Sequence, residues 1–208
     1  MAFPIITVNG PADSFPIINE FQALAVGWNQ LETASVDVSI SFMDASFGEP
    51  VTYSAYLMNQ IGAGTTEANE RASTTFIAMT PDPLSVSSFR LFTDTLLNPG
   101  NYYLVVGLDP TLNPDAISPE GSWGATNSPT ILAAPGVTDL GQFFTDPNSV
   151  LDPYLPASVF LFDESGQNPE ESVASRLLYD VQAVPEPSTF LLVLGPALGL
   201  ILLKRKRA

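Results

Sequence analysis

In residues 35–42, SVDVSISF, every second side chain is apolar. Val36, Val38, Ile40 and Phe42 fall on one side of an extended chain, and Ser35, Asp37, Ser39 and Ser41 on the other. A period of two predicts a β-strand with one buried face. The alternation, or a short apolar run rich in β-branched and aromatic residues, recurs at 51–58 (VTYSAYLM), 74–79 (TTFIAM), 87–93 (SSFRLFT) and 102–108 (YYLVVGL). Shorter strands are expected at 131–132, 158–162 and 177–182. Turn residues separate these runs: Gly48 and Pro50, Gly62 and Gly64, Pro81 and Pro83. Gly tolerates positive φ, while Pro fixes φ and withholds a ladder donor, so both punctuate strands. Asn98-Pro99-Gly100-Asn101 puts Pro and Gly where a type II turn uses them, which predicts a hairpin joining 92–97 to 102–108. Only 15–25 and 139–144 offer helical alternatives, both short. The stretch 109–129, rich in Pro, Asn, Asp and Gly, reads as a long surface loop.

About eight strands ahead of residue 184 predict an all-β fold for residues 1–183, an antiparallel two-sheet sandwich of jelly-roll type. Composition agrees. Of 208 residues 45% are hydrophobic and only 14% charged, with 19 Pro and 14 Gly, which disfavours long charged helices. The chain has no His and no Cys, which removes His-dependent triads, thiol nucleophiles, disulfides and imidazole or thiolate zinc sites. Serines are plentiful but have no base beside them, so acyl transfer is disfavoured and the body is expected not to be an enzyme. The catalytic alternative that survives is a polysaccharide hydrolase with a carboxylate pair, which needs no His.

Charge is distributed unevenly. Four of the seven basic residues are the last four before the terminal Ala208, so residues 1–183 hold three Arg (Arg71, Arg90, Arg176) against 21 of the 22 acids, a net charge of −18. That body repels nucleic acid, whose binding needs clustered Lys or Arg. From Val184 the chain reads VPEPST, then the apolar run 190–203 (FLLVLGPALGLILL), then Lys204, Arg205, Lys206 and Arg207. As a helix, 14 residues span about 21 Å at ~1.5 Å each, short of a ~30 Å hydrocarbon core. Gly195, Pro196 and Gly199 weaken that helix further. The basic cluster stays on the cytoplasmic side, because moving four cations across a bilayer is costly, so the acidic body lies outside.

Val184, Pro185, Glu186, Pro187, Ser188 and Thr189, followed by a short Leu/Gly-rich run and a terminal basic cluster, resemble the PEP-CTERM protein-sorting signal. The resemblance covers residues 184–208. It implies transient anchoring in the inner membrane of a Gram-negative type of bacterium and processing by a membrane-embedded exosortase. Delivery to the cell surface or an extracellular polysaccharide matrix follows. The two prolines keep 184–187 extended, which offers backbone to an enzyme, and Glu186 is a charge such an enzyme can read at the membrane face. A permanent tail anchor is the alternative. Export also calls for a signal peptide, and residues 1–15 carry no basic n-region, so an upstream start or a trimmed chain is expected. LAVGW (24–28), LNPGNYYLVVG (97–107) and GSWGATN (121–127) are loosely similar to β-sandwich ectodomains that precede such tails.

Two ligand classes remain for the body. Acids gather in three loops: Asp109, Asp115 and Glu120; Asp139, Asp146 and Asp152; Asp163, Glu164, Glu170 and Glu171. Hard oxygen ligands of this kind suit a structural calcium, although no segment matches a calcium-loop pattern and surface solvation accounts for most of them; no other cofactor is expected. Polysaccharide is the second class. Trp28, Trp123, Tyr53, Tyr56, Tyr102, Tyr103 and Tyr154 are candidates for stacking on sugar rings, with Trp123 in GSWG the best exposed candidate, but a Trp between glycines equally serves as a plug closing the sandwich end, and the core is the favoured place for these rings.

Overall fold

The computed structural model describes residues 3–18, 23–44, 50–62, 64–78, 86–108, 112, 121–145, 159–161 and 175–185. Among them are 15 β-strands, the 3-10 turn Glu67–Asn69 and no α-helix. All strand pairs are antiparallel, and two large sheets form a sandwich-like, all-β body. The first sheet is built on β4 (Ala34–Asp44). β7 (Ser87–Leu97) pairs with one edge of it, while β15 (Tyr179–Ala183) and β9 (Gly121–Trp123) pair with its successive parts. β1 (Phe3–Asn9) and β11 (Thr130–Ala133) continue outward from β15, and β2 (Ile17–Ile18) pairs with β9. The second sheet runs in the order β13 (Val159–Leu161), β12 (Thr138–Thr145), β3 (Leu24–Gln30), β8 (Gly100–Leu108), β5 (Val51–Met58) and β6 (Glu70–Ala78). A short pair, β10 (Ala125–Thr126) with β14 (Arg176–Leu177), extends the lines of β9 and β15.

The 35–42 alternation behaves as its period requires. Val36, Val38, Ile40 and Phe42 are buried, and Ser35, Asp37, Ser39 and Ser41 lie on the opposite face, partly exposed. Across the gap they meet Leu24, Val26, Trp28, Tyr53, Leu57, Leu104 and Val106 of the second sheet in one continuous core. β8 reads as an unbroken apolar run because it is covered on both faces. Leu104 and Val106 enter the main core, while Val105 joins Ala23, Ala25 and Met58 in a small second cluster on the other side.

Several sequence expectations are corrected. Residues 15–25 and 139–144 are not helical: Ile17–Ile18, Leu24–Gln30 and Thr138–Thr145 are strands wherever those ranges are described. Residues 98–101 do not close a hairpin. β7 pairs with β4 (Ala34↔Leu97) and β8 pairs with β3 (Gln30↔Gly100), so the Pro99-Gly100 turn carries the chain from one sheet to the other. Gly100 has φ +154, a conformation open to Gly, and the neighbouring crossing at Leu31–Thr33 runs beside it. Thr33 Oγ1 donates to Asn98 Oδ1 (3.3 Å), and Gln30 Nε2 donates to the Leu97 carbonyl (3.4 Å). A Pro-Gly turn suits both a hairpin and an inter-sheet arch, so the local signal does not discriminate. The surface loop expected at 109–129 is interrupted by β9 and β10, whose five residues are all buried. The strand expected at 177–182 breaks at Leu178, where the chain passes from β14 to β15.

Candidate functional site

Trp123 is not a surface residue. It is 0% exposed, and its indole N–H donates to the Leu178 carbonyl at 2.9 Å. That carbonyl also accepts the Ser41 N–H (3.3 Å), while the Leu178 N–H donates to Gly124 O (2.8 Å). The indole therefore closes the joint where β9 and β15 meet end to end along β4. The small neighbours that suggested a loop are there for close packing. A Cβ on Gly121 would strike the Tyr53 hydroxyl and sit 2.8 Å from the Phe42 ring. Most other sugar-stacking candidates are core as well. Trp28 and Tyr53 are 0% exposed and Tyr102 is 5%. Trp28 lies against Tyr102 and Tyr179 with centroids 6.0 and 6.4 Å apart, and Tyr53 packs with Phe42 and Phe76. Tyr56 and Tyr103 are half-buried; Tyr154 lies outside the described residues.

A different surface has the character of a binding face. The outward side of the first sheet carries a lateral row, Thr7 on β1, Asp180 on β15, Ser39 on β4 and Arg90 on β7, brought into line by the registers Thr7↔Asp180, Asp180↔Ser39 and Ser39↔Arg90. Four strands at about 4.8 Å spacing make this row about 14 Å long. Around it lies a groove of about 310 Å³ whose lining also includes Asn9, Ser41, Ser88 and Gln182. Asp180 Oδ1 accepts hydrogen bonds from the Thr7 hydroxyl and from Gln182 Nε2 (2.7 Å). Arg90 pairs with Asp37 at 3.3 Å beside the groove. Hydroxyls, amides and one carboxylate on a fixed sheet present donors and acceptors beside Val8, Ile40, Leu178 and Tyr179, which also line the groove, and without a net positive charge. Among the described residues of the lining, Asp180 is the one carboxylate. The outward alternation in SVDVSIS and YDVQA is the sequence signal for this face; the register that aligns the strands is not written locally.

The strongest electrostatic feature is structural. Arg176 on β14 forms a largely buried ion pair with Asp139 on β12. Asp139 Oδ1 also accepts the Gly141 N–H (2.9 Å). Beside it, Gln142 donates to the Ser175 carbonyl (2.6 Å) and accepts from the Leu177 N–H (2.9 Å). These contacts clip β14 to the second sheet. Tyr179 lies nearby, its hydroxyl buried with no hydrogen-bond partner among the described residues. Burial raises its phenol pKa well above the usual value; the Asp139 charge adds to the rise and the Arg176 charge opposes it.

Of the acids weighed for calcium, only Asp139 is described, and it is committed to Arg176; the others lie outside the described residues. Among the described residues no group of three or more potential ligands is placed to hold a metal ion. Of the sorting motif, Val184 and Pro185 are described. The Val184 N–H donates to Ser35 O at 2.8 Å, one residue beyond β15, and Pro185, which has no N–H, follows. Glu186, Pro187, Ser188, Thr189, the run 190–203 and Lys204–Arg207 lie outside the described residues, and among those described no helix is long and apolar enough to cross a membrane. No protein-family model matches the chain, and neither does any curated protein.

Proposed function

We propose that this chain is an exported, non-enzymatic surface or extracellular-matrix protein, sorted and processed by an exosortase through its C-terminal signal. In this reading the run 190–203 enters the inner membrane as a short helix, Lys204, Arg205, Lys206 and Arg207 hold it facing the cytoplasm, and Val184–Thr189 is the recognised segment. The observation that carries the reading is the tripartite order of residues 184–208, set directly against the end of a folded strand. Ladder bonding reaches Val184, and Pro185 has no N–H to donate to it. An enzyme at the membrane face thus meets an extended segment immediately outside a body that is already folded.

The test is substitution in the native host. Glu186→Gln and the paired change Pro185→Ala with Pro187→Ala should leave unprocessed chain in the membrane fraction, while the parent is released without Lys204–Arg207. Equal release of parent and variants would refute exosortase handling. An intact C-terminal peptide on surface-located parent protein would favour the permanent anchor instead.

The groove around Thr7, Asp180 and Ser39 favours a second element of the reading, association of the body with polysaccharide. Sugar hydroxyls both donate and accept, as do the groove's hydroxyl and amide groups, whereas a polyanion would meet Asp180 and a body of net charge −18. Asp180→Ala with Gln182→Ala should lower retention on neutral matrix polysaccharide without changing tail processing.

A further inference from the structure

The point where the chain leaves the first sheet is not an ordinary polar pole. Phe3, the register partner of Ala183 at the end of β15, is 65% exposed; Leu31, in the crossing from β3 to β4, is 62% exposed; Leu96, the partner of Ser35, is 63% exposed. Phe3, Leu31, Pro135 and Ala183 line one shallow cleft of about 160 Å³, in which Glu32 is the only charged residue among the described residues. Large apolar side chains exposed singly are common on proteins; a group of them around one chain exit is not. The sequence sets the distance to what lies beyond. Four residues, 186–189, separate Pro185 from the apolar run and reach about 14 Å at most when fully extended at ~3.3–3.6 Å each. The headgroup layer on one side of a bilayer is itself about 5–7 Å deep, so the tether leaves little room between this pole and the lipid.

We propose that the Phe3, Leu31 and Leu96 pole is a lipid-facing surface that seats the body on the outer leaflet of the membrane holding its tail. The proposal rests on the reading of residues 190–203 as a membrane segment and adds an orientation to it. Phe and Leu side chains enter the boundary between headgroups and acyl chains, while Glu32 and the polar turn residues remain hydrated there. Because the tail leaves from this same pole, the apolar side chains face the bilayer before any conformational change. The polar groove, on the side of the first sheet, stays open to solvent. Release of the tail frees the pole together with the rest of the body.

The chain has no Cys, so single thiols are introduced without background. Leu31→Cys, Leu96→Cys, Ile77→Cys and Val193→Cys are each made in the full chain, labelled with an environment-sensitive fluorophore and reconstituted in phosphatidylcholine vesicles with or without headgroup-proximal doxyl lipid. Positions 31, 96 and 77 are exposed, so the labels sit on the surface of the fold. The expected result is quenching at 31 and 96 at least about twofold stronger than at 77, as for side chains lying ~5–10 Å into the interface. Quenching at 193 with positions 31 and 96 no different from 77 would overturn the seated pole and leave the membrane tail standing. No quenching at 193 would refute the tail reading and the proposal with it. Dry, blue-shifted emission at 31 and 96 that doxyl lipid does not quench would place a second copy of the chain there and overturn the lipid assignment.

Discussion

Replacing Trp123 separates a ligand platform from a structural joint, because the two roles predict opposite responses in the free protein. Its side chain is 0% exposed and its N–H satisfies a buried carbonyl. Truncating a buried Trp to Ala costs about 3–5 kcal/mol in lost burial and cavity, and the lost hydrogen bond adds about 1 kcal/mol. Leu178 O keeps the Ser41 N–H as a donor, which holds that second contribution near the low end. Trp123→Phe retains most of the ring and loses the bond, so it should cost about 1–2 kcal/mol. With a guanidinium slope of about 4 kcal/mol per M for a domain of this size, Trp123→Ala should lower the unfolding midpoint by about 1 M and Trp123→Phe by about 0.3–0.5 M. Emission from Trp28, 0% exposed and in the same core, reports the transition in both variants. In the parent, iodide should barely quench either indole. A Trp123→Ala midpoint within about 0.2 M of the parent, or strong iodide quenching of the native protein, would refute the burial and return Trp123 to the list of ligand candidates.

The buried polar groups give two further predictions. Tyr179→Phe removes a hydroxyl that has no partner among the described residues, so it should be neutral or stabilising by up to about 1 kcal/mol at pH 7. Since the folded-state pKa of Tyr179 is raised, its contribution to stability is complete below the unfolded value near 10 and is lost as pH rises above it. The parent should therefore lose more stability than Tyr179→Phe between pH 9 and pH 11, and equal losses in parallel denaturant titrations would contradict the assignment. Asp139→Asn removes the Asp139 charge from beside the largely buried Arg176 guanidinium and should cost about 3 kcal/mol. Asp139→Leu combined with Arg176→Met should cost less than the sum of the two single changes; additive costs in a double-mutant cycle would show that the pair does not act as a unit.

The parts of the fold legible in the sequence are those where a single face is buried. At 35–42 the period of two gives both the strand and its inward residues, because Ser35, Asp37, Ser39 and Ser41 remain outside. The signal fails where that condition does. β1 carries Ile5 and Ile6 buried side by side, because the register slips between Pro4 and Ile6 and a bulge breaks the alternation. β9 and β10 are buried throughout and, Trp123 apart, made of small residues, so GSWGAT has the composition of a loop while filling the joint along β4. Pairing partners are non-local: Trp123 bonds to Leu178, and Thr7 aligns with Asp180 across almost the whole body. The groove was for that reason invisible as a site, although each polar residue in it sits at an outward position. The pattern at 184–208 is of the opposite kind, since its three parts are contiguous in sequence and depend on nothing distant.

The placement of β15 also bears on how such a tail can be handled. Ladder bonds hold β15 on both sides, to β1 through Phe3–Val8 and to β4 through Val36–Ile40, and its end at Ala183 leads into Val184 and Pro185. A pull on the tail roughly along the strand loads both ladders in shear, whereas a pull across the strand would peel one bond at a time. In the sorting reading, tension applied along the tail by a membrane-bound enzyme is thus borne by both ladders of β15 together. The same arrangement limits where processing is compatible with a stable product. A cut beyond Pro185 leaves every bond of β15 in place. A cut between Tyr179 and Val181 removes Val181 from the core, and one before Tyr179 removes both, each under 4% exposed, and opens the sheet between β1 and β4. In the sorting reading, the intact mass of released protein should accordingly correspond to a C-terminus at or after Pro185. A released, folded form ending before Tyr179 would mean that β15 is dispensable, and that the sheet does not constrain the tail at all.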